Sequence, residues 1–125
     1  MPVLINEDMS YNIIGACMKV HRFLGHGFLE VVYKDAMQVE FEKAEINYLR
    51  EKEFDIDYKG IILPPKFYAD FFVLDNVIVE VKATKDGISN EFIAQTLNYL
   101  KISNCSLGLI INFGKPSLEY KRLVL

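Results

Sequence analysis

The sequence is poor in features that would place it at once. Its 125 residues include only two cysteines, Cys17 and Cys105, far apart and outside any CxxC spacing. They suggest neither a disulfide framework nor a zinc site, and Cys17 falls on a helical apolar stripe that reads as core. No apolar run approaches the roughly 18–20 residues of a membrane span, so no membrane partner is expected. Residues 1–8 carry none of the basic character that opens a secretory leader, which leaves the cytoplasm as the expected compartment. Repeats, low-complexity tracts and linkers are missing, and the length suits one domain over residues 1–125 with one modest core. No run of Lys or Arg is present and the net charge is −3. Taken alone, that argues against a nonspecific nucleic-acid binder, which usually shows a basic footprint.

What is present is ordinary for a globular chain, with 51% hydrophobic and 25% charged residues. Ile13, Cys17, Val20, His21 and Leu24 recur at helical steps and predict a helix from Glu7 to Leu24. Asn6 can cap it, Glu7 and Asp8 suit its positive end, and Gly25-His26-Gly27 stops it. A second helix, Phe28 to Ala44, carries the stripe Leu29, Tyr33, Ala36, Met37, Phe41 and Ala44. At 100° per residue Glu30 projects onto that stripe, between Met37 and Phe41, and so does Glu40. Strand patterns follow over Leu49 to Tyr58, Ile61 to Leu63, Phe67 to Leu74 and Val77 to Ala83, with Pro64-Pro65 as an interruption and Asp75-Asn76 as a turn. Ile88 to Ile102 reads as a third helix, and Leu107 to Asn112 and Leu118 to Val124 as the last strands. The expected order is α-α-β-β-β-β-α-β-β, an α/β or α+β sandwich on a mixed sheet.

One stretch does not fit a purely structural reading. Val77-Ile-Val-Glu80-Val-Lys82-Ala83 looks buried on both faces, yet Glu80 and Lys82 sit within it. Buried charge is costly unless it is paired or bound to a metal. Glu80 and Lys82 are two apart on a strand and share a face. A three-residue loop, Leu74-Asp75-Asn76, pairs Val73 with Val77 and sets Asp70 directly opposite Glu80, about 5 Å apart at Cβ. A two-residue loop sends Asp70 to the other face. The odd register is therefore expected. Two converging carboxylates repel, and Mg²⁺, an oxygen-seeking ion that keeps several waters, answers that repulsion. Lys82 on the same face can orient a water or stabilise developing negative charge. A plain salt bridge among Asp70, Glu80 and Lys82 is the alternative, but two acids and one base leave a charge unpaired. Setting aside Glu30, Asp70 and Glu80 as ligands leaves a neutral remainder, so net charge does not decide the question.

Asp70…Glu80-Val81-Lys82 resembles the Asp…(Asp/Glu)-X-Lys signature of the PD-(D/E)XK nuclease superfamily, with Ala69 in place of the usual Pro. Gly27-Phe-Leu-Glu30-Val-Val-Tyr33 resembles the motif naming the GxxExxY family of that superfamily, although His26 stands where the family usually has Pro. His21-Arg-Phe-Leu-Gly25 and Ile111-Asn-Phe-Gly114 are similar to the same family. The resemblance runs from about Ile13 to Leu125. It implies a restriction-endonuclease-like core and a Mg²⁺-dependent nuclease acting on DNA phosphodiester bonds, with Mn²⁺ able to substitute. In that reading Asp70, Glu80 and the Val81 carbonyl hold the metal, Glu30 binds or orients a metal-bound water, and Lys82 activates the nucleophile. Gln95-Thr-Leu-Asn-Tyr99 is similar to the QxxxY pattern of the RecB-like branch. It implies Gln95 at a water or phosphate and Tyr99 at the nucleic acid. Lys85, like Lys66 and Arg50, is a candidate phosphate contact from its charge alone, with a solvated lysine as the plain reading. A homodimer is a natural way for so small a core to grip a duplex. The alternative is a catalytically inactive nuclease-like module that binds nucleic acid or a partner protein; a hydrolase of small phosphodiesters is a third reading. His21 and Tyr33 read first as packed core residues, Glu30 as a negative charge suited to its helix N-terminus, and Asn112 and Gly114 as servants of the loop after a strand.

Overall fold

The computed structural model describes residues 6–125. The cap expected of Asn6 and the charge of Glu7 fall on side chains outside that description. Helix α1, Asn6–Leu24, buries Ile13, Cys17, Val20 and His21 along one stripe. It ends where Gly25, at φ +70°, donates its N–H to the His21 carbonyl at 2.8 Å. Helix α2, Glu30–Lys43, buries Tyr33, Met37 and Phe41. The stripe is shorter than expected: Leu29 is 75% exposed and Ala44 is also exposed, because both lie just beyond the ends of the helix. Between the helices Tyr33 acts as a staple. Its hydroxyl donates to the Gly25 carbonyl at 2.7 Å and accepts from the Phe28 N–H at 3.2 Å, and its ring stacks on Phe113 at 4.5 Å. His21 is the hydrogen-bonded core histidine expected, with Nε2 2.8 Å from the Lys115 carbonyl.

Among the described residues five strands form one mixed sheet in the order β1-β2-β3-β4-β5. They are β1 Tyr48–Tyr58, β2 Ile61–Val73, β3 Val77–Lys82, β4 Leu107–Asn112 and β5 Glu119–Val124, with helix α3, Asn90–Ser103, between β3 and β4. Only β3 and β4 are parallel neighbours. Both are nearly all buried, as central strands covered on both faces must be. Val77, Val79 and Val81 pack under α1 and α2, whereas Ile78 and Ile110 pack under α3 with Leu100. Ser89 caps α3 by accepting the Phe92 N–H. Among the described residues no helix is long and apolar enough to cross a membrane.

The strands expected on either side of Pro64-Pro65 are one strand, so the sheet has one element fewer than the sequence pattern implied. Two features admit the prolines. The outer half of β2 pairs only with β1, so its other edge needs no donors. The β1–β2 register also shifts between Asp55 and Asp57, which leaves residues 63–65 in a bulge. A second irregularity lies nearer the centre. Pairing skips Glu51 and Asp70, and Glu51 adopts φ +55°. Across that step both strands exchange faces. Phe71 and Val73 pack under α1 and α2, but Ala69 and Phe67 pack under α3. The hairpin is kinked at the level of Asp70.

Asn112 closes the far end of the sheet. Its Oδ1 accepts from the N–H groups of Thr84 and Gly114, and its Nδ2 donates to the Thr84 carbonyl and Glu119 Oε1. Gly114 is thereby pressed onto the backbone after β3, where a Cβ would sit 2.3 Å from Thr84 N. Gly114→Ala should therefore destabilise the protein by about 3 kcal/mol or more, the upper end for overpacking, because backbone rather than a side chain must give way. Urea unfolding checks this, and a loss below about 1 kcal/mol would contradict the close approach.

Candidate active site

The turn after β2 sets the geometry. Leu74 and Asp75 take positive φ, and the Asn76 N–H donates to the Val73 carbonyl at 3.1 Å. Val73 pairs with Val77, Phe72 with Ile78 and Phe71 with Val79. The same count places Asp70 opposite Glu80, the register of the three-residue loop. No backbone pair forms there, because the two strands part. The parallel pairing of β3 with β4 fixes what fills the gap. Lys82 turns its carbonyl to Phe113 N on the β4 side, so the alternate residue Val81 turns its N–H and carbonyl toward β2. The Val81 N–H donates to Asp70 Oδ2 at 2.7 Å, and the Asp70 N–H lies 3.5 Å from Glu80 Oε2. Side-chain carboxylates thus replace the missing backbone partners.

Glu80 is 6% exposed, and its Oε1 is buried with no hydrogen-bond partner among the described residues. Burial first, and the Asp70 charge and hydrogen bond second, push its carboxyl up to about 9. Without a metal it is therefore protonated at neutral pH. Lys82 shares its face and rests over the Phe92 ring at 4.3 Å, a cation–π contact that leaves it without an ion pair within 4 Å among the described residues. Tyr99 stacks on Phe67 at 4.2 Å; burial and then the charges of Glu80 and Asp70 raise its phenol, which puts it at the margin of the acids. Gln95, one turn earlier on α3, and Lys85, on the loop after β3, are both exposed.

Glu30 is placed differently from the expectation that it lies on the inward stripe. It is the first residue of α2, and its side chain reaches solvent at the open end of the helix. It still belongs to the field of the site. Partial burial first and the Asp70 charge second raise its pKa, while Lys82 and Lys34 pull it down. Among the described residues no three His, Cys, Asp or Glu side chains are spaced to hold a metal together, so Asp70 and Glu80 converge as a pair with Glu30 at the rim.

Two residues in the site were not singled out from the sequence. Lys34 Nζ donates to Asp70 Oδ1 at 3.1 Å and to Glu51 Oε1 at 2.5 Å. Lys34 was legible in part, since it follows Glu30 by one helical turn on the same edge. Glu51 was not, because its place depends on the kink that carries it to the level of Asp70.

The residues present fit a divalent ion. The orphaned Glu80 Oε1 is a buried oxygen lacking a partner, and a hard cation supplies both partner and charge. A family model described as the PD-(D/E)XK nuclease superfamily matches residues 7–123, and nucleases of this superfamily typically use divalent metals. The crystal structure of SSO0001 superposes with a TM-score of 0.51 at 14% identity, over 91% of this chain and 65% of that one, which shows a shared fold. This chain thus spans about two thirds of that protein's length. No curated protein matches the sequence.

The buried carboxyl carries a stability signature. Its folded-state value lies above the ordinary 4.5, so the unfolded chain loses this proton first as pH rises. Stability from this group is full below about pH 4.5 and falls as pH climbs toward 9. Glu80→Gln cannot ionise. In EDTA it should raise the melting temperature at pH 8 by about 4 °C or more, the effect of roughly 1 kcal/mol in a domain of this size, and change it little at pH 4. Equal shifts at both pH values would contradict a buried neutral carboxyl.

Proposed function

The chain belongs to the PD-(D/E)XK nuclease superfamily, and we propose that it is a Mg²⁺-dependent nuclease hydrolysing phosphodiester bonds of DNA. The observation that carries the reading is the unpartnered, buried Glu80 Oε1 beside Asp70, with Lys82 on the same face of β3. Asp70, Glu80 and the Val81 carbonyl, which turns toward the same gap, are the residues that would hold the ion. When bound, Mg²⁺ polarises a phosphate oxygen and lowers the pKa of a water.

The remaining roles follow from position. Among the described residues the Lys82 ammonium has no ion pair within 4 Å, and it is suited to stabilising the negative charge that develops on the phosphorus oxygens. Its contact with the Phe92 ring holds the ammonium on the α3 side of the sheet. Glu30, at the rim and in the field of Asp70 and Lys82, orients a water from the solvent side. Gln95 is exposed one turn from Tyr99 and positions a water or phosphate; Tyr99 and Lys85 flank the path of the nucleic acid. Gly27, Glu30 and Tyr33 support a reading in the GxxExxY branch, and the Tyr33 staple gives that motif a physical purpose. It fixes the loop from which Glu30 starts α2.

One observation favours a second reading, a nuclease-like module that binds without cutting. Both Asp70 oxygens already have donors, Lys34 on one and Val81 N–H on the other. A gel assay on linear and circular DNA with Mg²⁺ or EDTA separates the two. Cleavage should require Mg²⁺ and fall about 100-fold or more in both Asp70→Asn and Lys82→Ala. Lys82→Ala should keep Mn²⁺ binding that Asp70→Asn loses. Undiminished cleavage by both variants, or none by the wild type, would contradict the assignment.

A further inference from the structure

Lys34 has no part in the chemistry above, yet it occupies the site. Its side chain is only 12% exposed. An ammonium so far from water is costly unless carboxylates surround it, and here they do. Asp70 Oδ1 lies 3.1 Å away and Glu51 Oε1 2.5 Å away. Glu30, one turn earlier on α2, feels the charges of Lys34, Asp70 and Glu51 together. Burial pulls the Lys34 ammonium toward neutrality, but the hydrogen bonds to Glu51 and Asp70 outweigh it, and the net shift is upward. Lys34 stays charged.

The arrangement is built rather than incidental. Glu51 is a non-glycine residue at φ +55° within a strand, and it stands at the step where β1 and β2 exchange faces. That strained backbone sets a second acceptor beside Asp70. A bond that merely tied α2 to the hairpin would need only Glu51, which is half exposed and already within reach. Lys34 instead also takes an oxygen of the carboxylate proposed as a metal ligand.

We propose that Lys34 is a tethered counter-cation of the metal site. In the metal-free protein it holds the Asp70 side chain in place, and Glu51 anchors the ammonium there. A divalent ion at Asp70 and Glu80 then binds against a fixed positive charge that shares Asp70 with it. The site is therefore weaker for metal than its acids alone would make it. Lys34 is a positioning residue, and this inference rests on the metal-site reading.

The test is Mn²⁺ titration calorimetry on the full chain, with melting temperature in EDTA measured beside it. Lys34→Met should melt lower in EDTA yet bind Mn²⁺ about tenfold tighter, and Lys34→Arg, which keeps the charge, should behave like the wild type in both. A merely structural contact would weaken stability and metal binding together. If Lys34→Met does not fold, Lys34→Gln, which keeps a polar donor without the charge, should show the same tightening. Mn²⁺ bound by the wild type with unchanged or weaker affinity in the uncharged variants overturns the counter-cation and leaves the metal site standing. No Mn²⁺ bound by any of them overturns the metal-site reading itself.

Discussion

The hydrogen bond from the Val81 N–H to Asp70 Oδ2, at 2.7 Å the shorter of two side-chain links at this level, joins β2 to β3 where their backbones have stopped pairing. The N–H needs an acceptor, because an unpaired buried donor is costly. Continued antiparallel pairing would supply it from the β2 backbone and leave the Asp70 side chain free to point anywhere on its face. The kink at Glu51 and Asp70 ends that pairing, and the carboxylate takes over. Asp70 is thus fixed beside Glu80 by the same defect that separates the strands. The gap toward which the Val81 carbonyl turns and the fixed carboxylate that borders it have one cause.

Charge balance follows from that geometry. Two carboxylates at a partly dry place cannot both ionise freely. The structure divides the burden. Glu80 turns neutral, pushed up to about 9 by burial and by Asp70. Asp70 stays with two donors, Lys34 and Val81 N–H. The result is a site poised for a cation. Among the described residues one oxygen lacks a hydrogen-bond partner, one carboxyl would exchange its proton for a bound cation with the proton passing to solvent, and the Lys82 ammonium sits on the same face.

Much of this was legible in the residues. Charge within an otherwise apolar strand flagged Glu80 and Lys82, and the parity of a three-residue turn predicted Asp70 opposite Glu80, as the Val73–Val77 pair confirms. Turn parity is a local property, so it can be read locally. The stripe Tyr33, Met37 and Phe41 was equally clear. Glu30 was misplaced because a helical wheel assumes a full turn on both sides, and Glu30 begins its helix. Pro64-Pro65 suggested a break because proline lacks a donor, but an outer strand segment with a bulge needs none there. Lys34 and Glu51 depend on which strand lies beside which and on a non-glycine residue in the left-handed region. Neither periodicity nor motif spacing reports that.

The central claim is that Asp70, Glu80 and the Val81 carbonyl form one divalent-metal site. Anomalous diffraction from a crystal soaked in Mn²⁺ tests it most directly. One strong peak is expected in the gap between β2 and β3, within ligand distance of Asp70 and Glu80 and absent in Asp70→Asn. A crystal that takes up Mn²⁺ elsewhere, with that gap empty, would contradict it.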